Sequence, residues 1–300
     1  NGTPIYRKVM MSMTIITKVG RRQTHSIFGD IVLFLFLALL GAFMLLPFIY
    51  AISQSLKPIE ELFVFPPKFF VRNPTIDNFL NLFQRTNNMW VPFERYIVNS
   101  LLITVIGTVG GVLFAAMAAF PLAKFVFPGS RKYEFVIILS LLFVFEVTYV
   151  PQYITLSFLR LIDTPWALIL PAMANTLGLY LMKQFMSQLP DSLLEAASVD
   201  GASTAKQFWS IVMPNVKPAW ITATILIFQA LWNRDTSTYI FTEQLKNLPA
   251  VFRQISSTNT IATVGIGAAA AVLLMIPPVV VFLFSQSRML ETMAYSGMKG

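Results

Sequence analysis

"LLEAASVDGASTAKQFWSIVMP", Leu193 to Pro214, lies between two apolar runs and is one of the few stretches of this chain able to fold in water. Pro190 stops what precedes it, because proline lacks the amide that a helix interior needs. "SLLE" at Ser192 to Glu195 has the form of a capping box, in which a hydroxyl and a carboxylate satisfy free amides at a helix start. Gly201 suits the left-handed residue that closes a helix, and "TAKQ" at Thr204 to Gln207 offers a second capping box before "FWSIVM" runs into Pro214. The expectation is two short helices at an angle, joined by a glycine turn. Ala196 and Ala197 give the first helix a face flat enough for close backbone approach, while Phe208, Trp209, Ile211 and Val212 would root the second in an apolar bundle. Such a knob is shaped to fit a groove in a partner.

The flanks of the knob set the class of protein. Hydrophobic residues make up 56% of the 300 and charged residues 12%, too little polar surface to coat a soluble globule of this length. Windows near the length that crosses a hydrocarbon core run over residues 31–52, 97–121, 135–152, 165–182, 219–232 and 264–286. They predict an all-α polytopic membrane protein of about six spans. The domain reading is an N-terminal cytoplasmic or interfacial segment at 1–30, a six-helix membrane-spanning bundle at 31–286 with an external loop at 53–96 and the knob loop at 187–217, and a cytoplasmic tail at 287–300. The chain opens on Asn1 rather than Met, and a native start further upstream is expected. The loop at 53–96 carries five prolines and Phe63, Phe65, Phe69, Phe70, Phe79 and Phe83, which suggests ordered packing.

Charge is decided by its distribution. With both termini on one side of the membrane, that side holds thirteen Lys and Arg and the other nine, and the short loop "KFVFPGSRK" carries the margin. Both termini and the knob are therefore expected in the cytoplasm. The net charge of +8 fits basic cytoplasmic loops, so nucleic acid is not an expected partner. A helix-turn-helix reading of the knob fails because Lys206 and Lys217 alone offer phosphate contacts. There is no cysteine, the lone His25 sits beside Arg21 and Arg22 in a polar approach to the first span, and no catalytic cluster or metal-ligand group is present.

"EAASVDGASTAKQFWSIVMP" resembles the EAA signature of ABC importer permeases in Glu195, Ala196, Ala197, Gly201, Ile211 and Pro214, with Met213 in place of the usual leucine. That swap conserves volume. Nearly the whole chain is similar to the carbohydrate-uptake branch, specifically to the inner permease of maltose-type systems, and the tail "SGMKG" is similar to that subunit's ending. Arg234 and Asp235 depart from the pattern after the Trp-Asn pair. The resemblance implies a permease subunit, not an enzyme, that moves a sugar or oligosaccharide inward across the bacterial cytoplasmic (inner) membrane. It implies as partners a second homologous permease in a heterodimer, a cytoplasmic ABC ATPase dimer and an extracytoplasmic solute-binding protein, besides membrane lipid. It also implies that Glu195, Ala196, Ala197, Ser198, Asp200 and Gly201 couple to the ATPase and that Ser296, Gly297, Lys299 and Gly300 touch it. No G-x-x-x-x-G-K-[ST] loop occurs, so ATP and Mg belong to the partner and no cofactor is expected on this chain.

Polar residues at membrane depth are costly and often line a pathway. Glu146 in "LLFVFEVTYVPQY", with Tyr149 and Gln152 nearby, and Asn175, Gln229 and Asn233 in the next two spans, form a candidate translocation path. Two readings stay open for Glu146, a path residue or a structural ion pair; for the three amides interhelical hydrogen bonding is the plainer reading. "GTVGG" and "GIGAAAA" read as close helix packing. The other function classes are an ABC permease for amino acids or peptides and a proton-coupled secondary transporter using Glu146. The second would be expected to show an internal repeat, and none is apparent.

Overall fold

The computed structural model describes residues 27–87, 91–143, 145–257 and 261–297. The expectations for the segment at 1–26, including His25, and for Lys299 and Gly300 fall outside these residues. So do those that rest on the side chains of Glu146, Ser296 and Gly297, although their backbones are helical. Among the described residues the chain is helical with no strand, as the apolar windows require.

The chain divides into two units, residues 1–50 and 51–300. Helix α1, Ile27–Ser55, supplies the described part of the first, and its side chains from Phe28 to Tyr50 are exposed and almost wholly apolar. In water such a surface would be untenable, and in lipid it costs nothing.

The second unit opens on an ordered loop that contains α2, Ile59–Leu62, and α3, Asp77–Asn87. Buried polar groups hold it: Asn78 donates to the carbonyls of Ser55 at 2.9 Å and Lys57 at 2.7 Å, and the buried Lys57 ammonium donates to the carbonyl of Lys68. Glu61 accepts from the amides of Arg72 and Asn73, and these bonds, that to Arg72 foremost, hold its carboxyl below the usual range. Phe79 packs on the core, whereas Phe63, Phe65 and Phe70 remain exposed.

Helix α4, Phe93–Lys124, runs 32 residues, ~48 Å at 1.5 Å per residue, more than a hydrocarbon core demands. α5, Ser130–Ser140, and α6, Phe145–Phe158, follow; then α7, Trp166–Met173, and α8, Thr176–Ser187. The windows at 135–152 and 165–182 are therefore two broken helix pairs rather than two continuous spans. At the first break Leu141, Leu142 and Phe143 bond three residues back and the Ser140 hydroxyl takes the Ile137 carbonyl. At the second, Ala174 bonds back to the Pro171 carbonyl and the Asn175 side chain caps the next helix by accepting from the Gly178 amide at 2.6 Å. Hydropathy sees the apolar run and is blind to these local competitors.

The knob comprises α9, Asp191–Val199, and α10, Thr204–Gln207; beyond it α11, Met213–Asn215, leads to α12, Lys217–Trp232, then α13, Leu248–Ser256, and α14, Ile261–Gly297. Residues 28–55, 93–124 and 263–286 form single helices long and apolar enough to cross a membrane; 204–215 and 217–232 meet that test together, bent by 79°. Among the described residues this gives three spans by length and composition, or four with the bent pair taken as one, and the expected count of six is not confirmed by this measure.

One core cluster joins α4, α8, α12 and the knob through Ala116, Ala119, Met182, Met186, Phe208, Val212 and Ile227. The small-residue runs serve close approach, as expected. A Cβ at Gly107 would lie 2.5 Å from Leu231 Cδ1, and one at Gly111 would lie 2.8 Å from the Ala172 carbonyl oxygen. A second cluster packs Tyr96 and Trp232 with α13 and α14, and a third gathers Ile103, Leu156, Ile169, Tyr239 and Ile240.

Candidate functional site: the two-helix knob

Helix α9 starts at Asp191, two residues earlier than a capping box with Ser192 at the cap position requires. Pro190 occupies the cap position without a side-chain bond, and Ser192 is already inside the first turn, so its hydroxyl cannot cap. Glu195 does not fold back and stays exposed. The C-terminal end follows the sequence reading. Gly201 has φ +76°, Ala202 N–H bonds the Ala197 carbonyl at 2.9 Å, and Gly201 N–H bonds that of Ser198 at 3.0 Å, a complete Schellman closure. Nothing lies within 4 Å of a Cβ built at Gly201, so the glycine answers to backbone conformation rather than to space.

The second capping box is displaced by one residue. Ser203 caps α10, its hydroxyl accepting from Lys206 N–H at 3.3 Å, and Thr204 is the first helical residue. Gln207 reaches back across the turn instead, donating to Ser198 Oγ at 2.8 Å and to the Ala202 carbonyl at 3.1 Å. Buried and doubly bonded, it fixes the angle between α9 and α10.

Phe208 to Val212 then form a π-helical turn, with Met213 N–H bonding the Phe208 carbonyl five residues back. Pro214 and Pro218 offer no amide, and side chains take up the released acceptors nearby. Asn215 donates to the Ile211 carbonyl at 2.7 Å, and the Trp220 indole donates to that of Met213 at 3.3 Å. Of the four residues expected to root the knob, Phe208 and Val212 are buried, Ile211 is half-buried, and Trp209 is 53% exposed. The π turn advances Trp209 off the inward face.

The outward face of the knob carries Leu193, Glu195, Ala196, Val199, Asp200 and Gly201, all exposed, with Ala197 half-buried behind them and Val199 at 88%. Ser198, also exposed, is tied to the Leu194 carbonyl and to Gln207. A small-residue surface with two carboxylates, Glu195 and Asp200, is thus held on a rigid base.

Two ionic links at this end were missed by sequence reasoning. Lys124, the last residue of α4, donates to the Leu189 carbonyl at 2.5 Å and to Asp191 Oδ1 at 2.7 Å. Lys183 of α8 pairs with Glu134 of α5. The signal available was a cation closing a long apolar helix and an acid opening a short one, each favourable to its helix dipole.

The candidate path residues are dispersed. Asn175 bonds within its own helix rather than across helices, and lines a cavity of about 530 Å³ with Phe114, Ala118, Ser140 and Met173. Tyr149 and Tyr153 pack on Tyr239, with centroids 6.0 and 6.1 Å away, and Gln152 is half-buried. Gln229 and Asn233, one turn apart at the end of α12, are exposed together with Leu226 and Ala230 on a single face. At the far end of these helices Asp163, at φ +63°, accepts from the amides of Phe241 and Thr242 at 2.9 and 2.8 Å and from the Thr242 hydroxyl at 2.5 Å. The hydroxyl bond first, and the amide bonds with it, hold the Asp163 carboxyl below its usual range.

A helical membrane bundle that roots a rigid two-helix knob defines a transport permease subunit. Residues 111–292 match the family described as "Binding-protein-dependent transport system inner membrane component", and the chain belongs to it. It is 31% identical over 304 residues to protein LplC of Bacillus subtilis, covering 95% of this chain and 97% of that one. It is 32% identical over 217 residues to the sn-glycerol-3-phosphate transport system permease protein UgpE of Yersinia pestis, covering 69% and 77%. To the polygalacturonan/rhamnogalacturonan transport system permease protein YtcP of B. subtilis it is 28% identical over 228 residues, covering 75% and 77%. Its fold is similar to a chain in the crystal structure of a bacterial ABC transporter involved in the import of the acidic polysaccharide alginate, with TM-score 0.73 at 23% identity, covering 88% and 98%.

Proposed function

We propose that this chain is one of two homologous permease subunits of an ATP-driven importer that takes a sugar or oligosaccharide from an extracytoplasmic solute-binding protein into the cytoplasm of a bacterium. Both termini and the knob face the cytoplasm, and the knob docks in a cleft of an ABC ATPase dimer. The observation that carries the reading is the exposed face of α9, rooted through Phe208 and Val212 in the same core as α4, α8 and α12. A load applied to that face reaches the spans directly. Glu195, exposed in the second turn of α9, orients the docked partner as well as attracting it, and Ala196, Ala197, Ser198, Asp200 and Gly201 supply a surface low enough for close approach. Ser296, Gly297, Lys299 and Gly300 add a second contact to the ATPase, which holds ATP and Mg while this chain binds no cofactor.

Gln229 and Asn233 support a path between the two permeases, since exposed amides on a span demand either water or a polar partner. Glu146, Tyr149, Gln152 and Asn175 belong to the same path in this reading. The carbohydrate class rests on the permeases named above for polygalacturonan/rhamnogalacturonan and alginate. A phosphorylated polyol is the second reading, favoured by the resemblance to the sn-glycerol-3-phosphate permease.

The test is to purify the complex formed by this chain, identify its binding protein and screen that protein against neutral oligosaccharides, uronic-acid oligosaccharides and glycerol phosphate. Uptake into proteoliposomes with the ligand so found should require ATP and the binding protein. Transport without ATP, or failure of any ATPase to co-purify, overturns the proposal.

A further inference from the structure

We propose that Lys124 is a positioning residue that fastens the knob to α4, so that displacement of α9 moves α4 instead of being absorbed in the Leu189–Pro190 turn. The inference rests on the importer reading above and names the part that transmits its motion.

A lysine is rarely buried unless its ammonium is paired, and the Lys124 side chain is 3% exposed. Its ammonium spends its bonds on two groups that bracket Pro190: the Leu189 carbonyl at 2.5 Å and the Asp191 carboxylate at 2.7 Å. Leu189 ends the approach from α8, and Asp191 is the first residue of α9. The cation also sits at the C-terminal end of α4, where unsatisfied carbonyls favour it, and its acid sits at the N-terminal end of α9, where free amides favour a carboxylate. Two helix termini of opposite polarity are thus joined through one buried charge. The Asp191 side chain is 77% exposed, so water weakens the pair as a source of stability. What the arrangement supplies is position.

The consequence follows from what α4 touches. Its small-residue face, Gly107, Gly110, Gly111 and Ala115, lies against α7, α8 and α12, and Phe114, Ala115 and Ala118 line the cavity of about 530 Å³. A shift of α9 passed through Lys124 therefore reaches the wall of that cavity. The Lys183–Glu134 pair holds α8 to α5 independently; α4 also meets the knob through the apolar core of Phe208, Val212 and Leu194, and this ammonium is the polar tie between its end and the start of α9.

The experiment uses the assembled complex in proteoliposomes with its binding protein and the ligand identified for it. Lys124→Met keeps the packing stem and removes the ammonium, Lys124→Arg keeps a cation, and Asp191→Asn alters the exposed partner alone. Complex yield, ATP hydrolysis and uptake are measured for each. The expected result for Lys124→Met is wild-type assembly with at least a five-fold loss in substrate moved per ATP hydrolysed, substantially restored in Lys124→Arg. An unchanged ratio per assembled complex in Lys124→Met, even with a lower yield, overturns the strut and leaves Lys124 as a structural anchor. Should Lys124→Met fail to assemble, Asp191→Asn decides: a lowered ratio supports the strut, and a wild-type ratio removes it. A wild-type complex that shows no ATP-driven uptake removes the importer reading itself, an outcome distinct from the failure of Lys124 in a coupled complex.

Discussion

Gly201 and Glu195 are both exposed on the knob and matter for different reasons. Gly201 holds φ +76° with open space around it, so Gly201→Ala should cost ~1–2 kcal/mol through the left-handed backbone alone, and Gly201→Asn less. Glu195 makes its surface available without supporting the fold, so Glu195→Ala should leave the melting temperature of the permease unchanged while the ATPase is lost on co-purification. Retention of the ATPase at wild-type level by both Glu195→Ala and Gly201→Asp would remove the docking role. Gly265 is a case of space rather than conformation. A Cβ there would collide with the buried Asn78 amide that holds the carbonyls of Ser55 and Lys57. Gly265→Ala should therefore destabilise the second unit by ~1–3 kcal/mol, read as a lowered melting temperature in detergent.

The elements were legible unevenly, and the unevenness has local causes. The knob was readable as two helices with a glycine turn because capping chemistry acts over four residues and leaves its signature in sequence. The cap positions fall earlier than the sequence suggested, by two residues at Pro190 against Ser192 and by one at Ser203 against Thr204. Helix breaks within 135–152 and 165–182 were hidden inside uninterrupted hydropathy. The Asn175 cap of α8 is testable: Asn175→Ala should cost about 1 kcal/mol in stability, with added amide exchange in residues 176–178. The loop that follows α12 is held by Asp163. Its carboxyl ionises below its ordinary value when folded, so the clamp contributes stability that is full above that ordinary value and fades as pH falls through the depressed one. Limited proteolysis within residues 236–245 should accordingly quicken towards acid in the native chain. Asp163→Asn, which tolerates the left-handed backbone, should remove that pH dependence.

At the scale of the molecule, α12 bears exposed amides and α1 an exposed apolar surface, and in the proposed importer a second permease covers the first and lipid the second. Reconstitution of this chain with ATPase and binding protein but without a second permease should give no uptake. In the full complex, Gln229→Leu with Asn233→Leu should spare assembly and lower uptake several-fold, measured as initial rate per assembled complex. Composition and the apolar windows were sufficient for membrane residence and helical class, because a bilayer core admits so few backbone solutions and each needs a long run of apolar residues. The EAA spacing likewise marked the knob, since a helix end and its glycine turn are written locally in sequence. What folding alone decided is non-local: that Gln207 reaches Ser198, that Phe208 and Val212 share a core with α4, and that Lys124 closes on Leu189 and Asp191, 65 and 67 residues away. A lysine at the end of an apolar helix looks like any interfacial anchor until the chain has folded. Packing brings the Pro190 turn beneath it, and burial makes its two bonds obligatory, because an ammonium withdrawn from water must be paired where it lies.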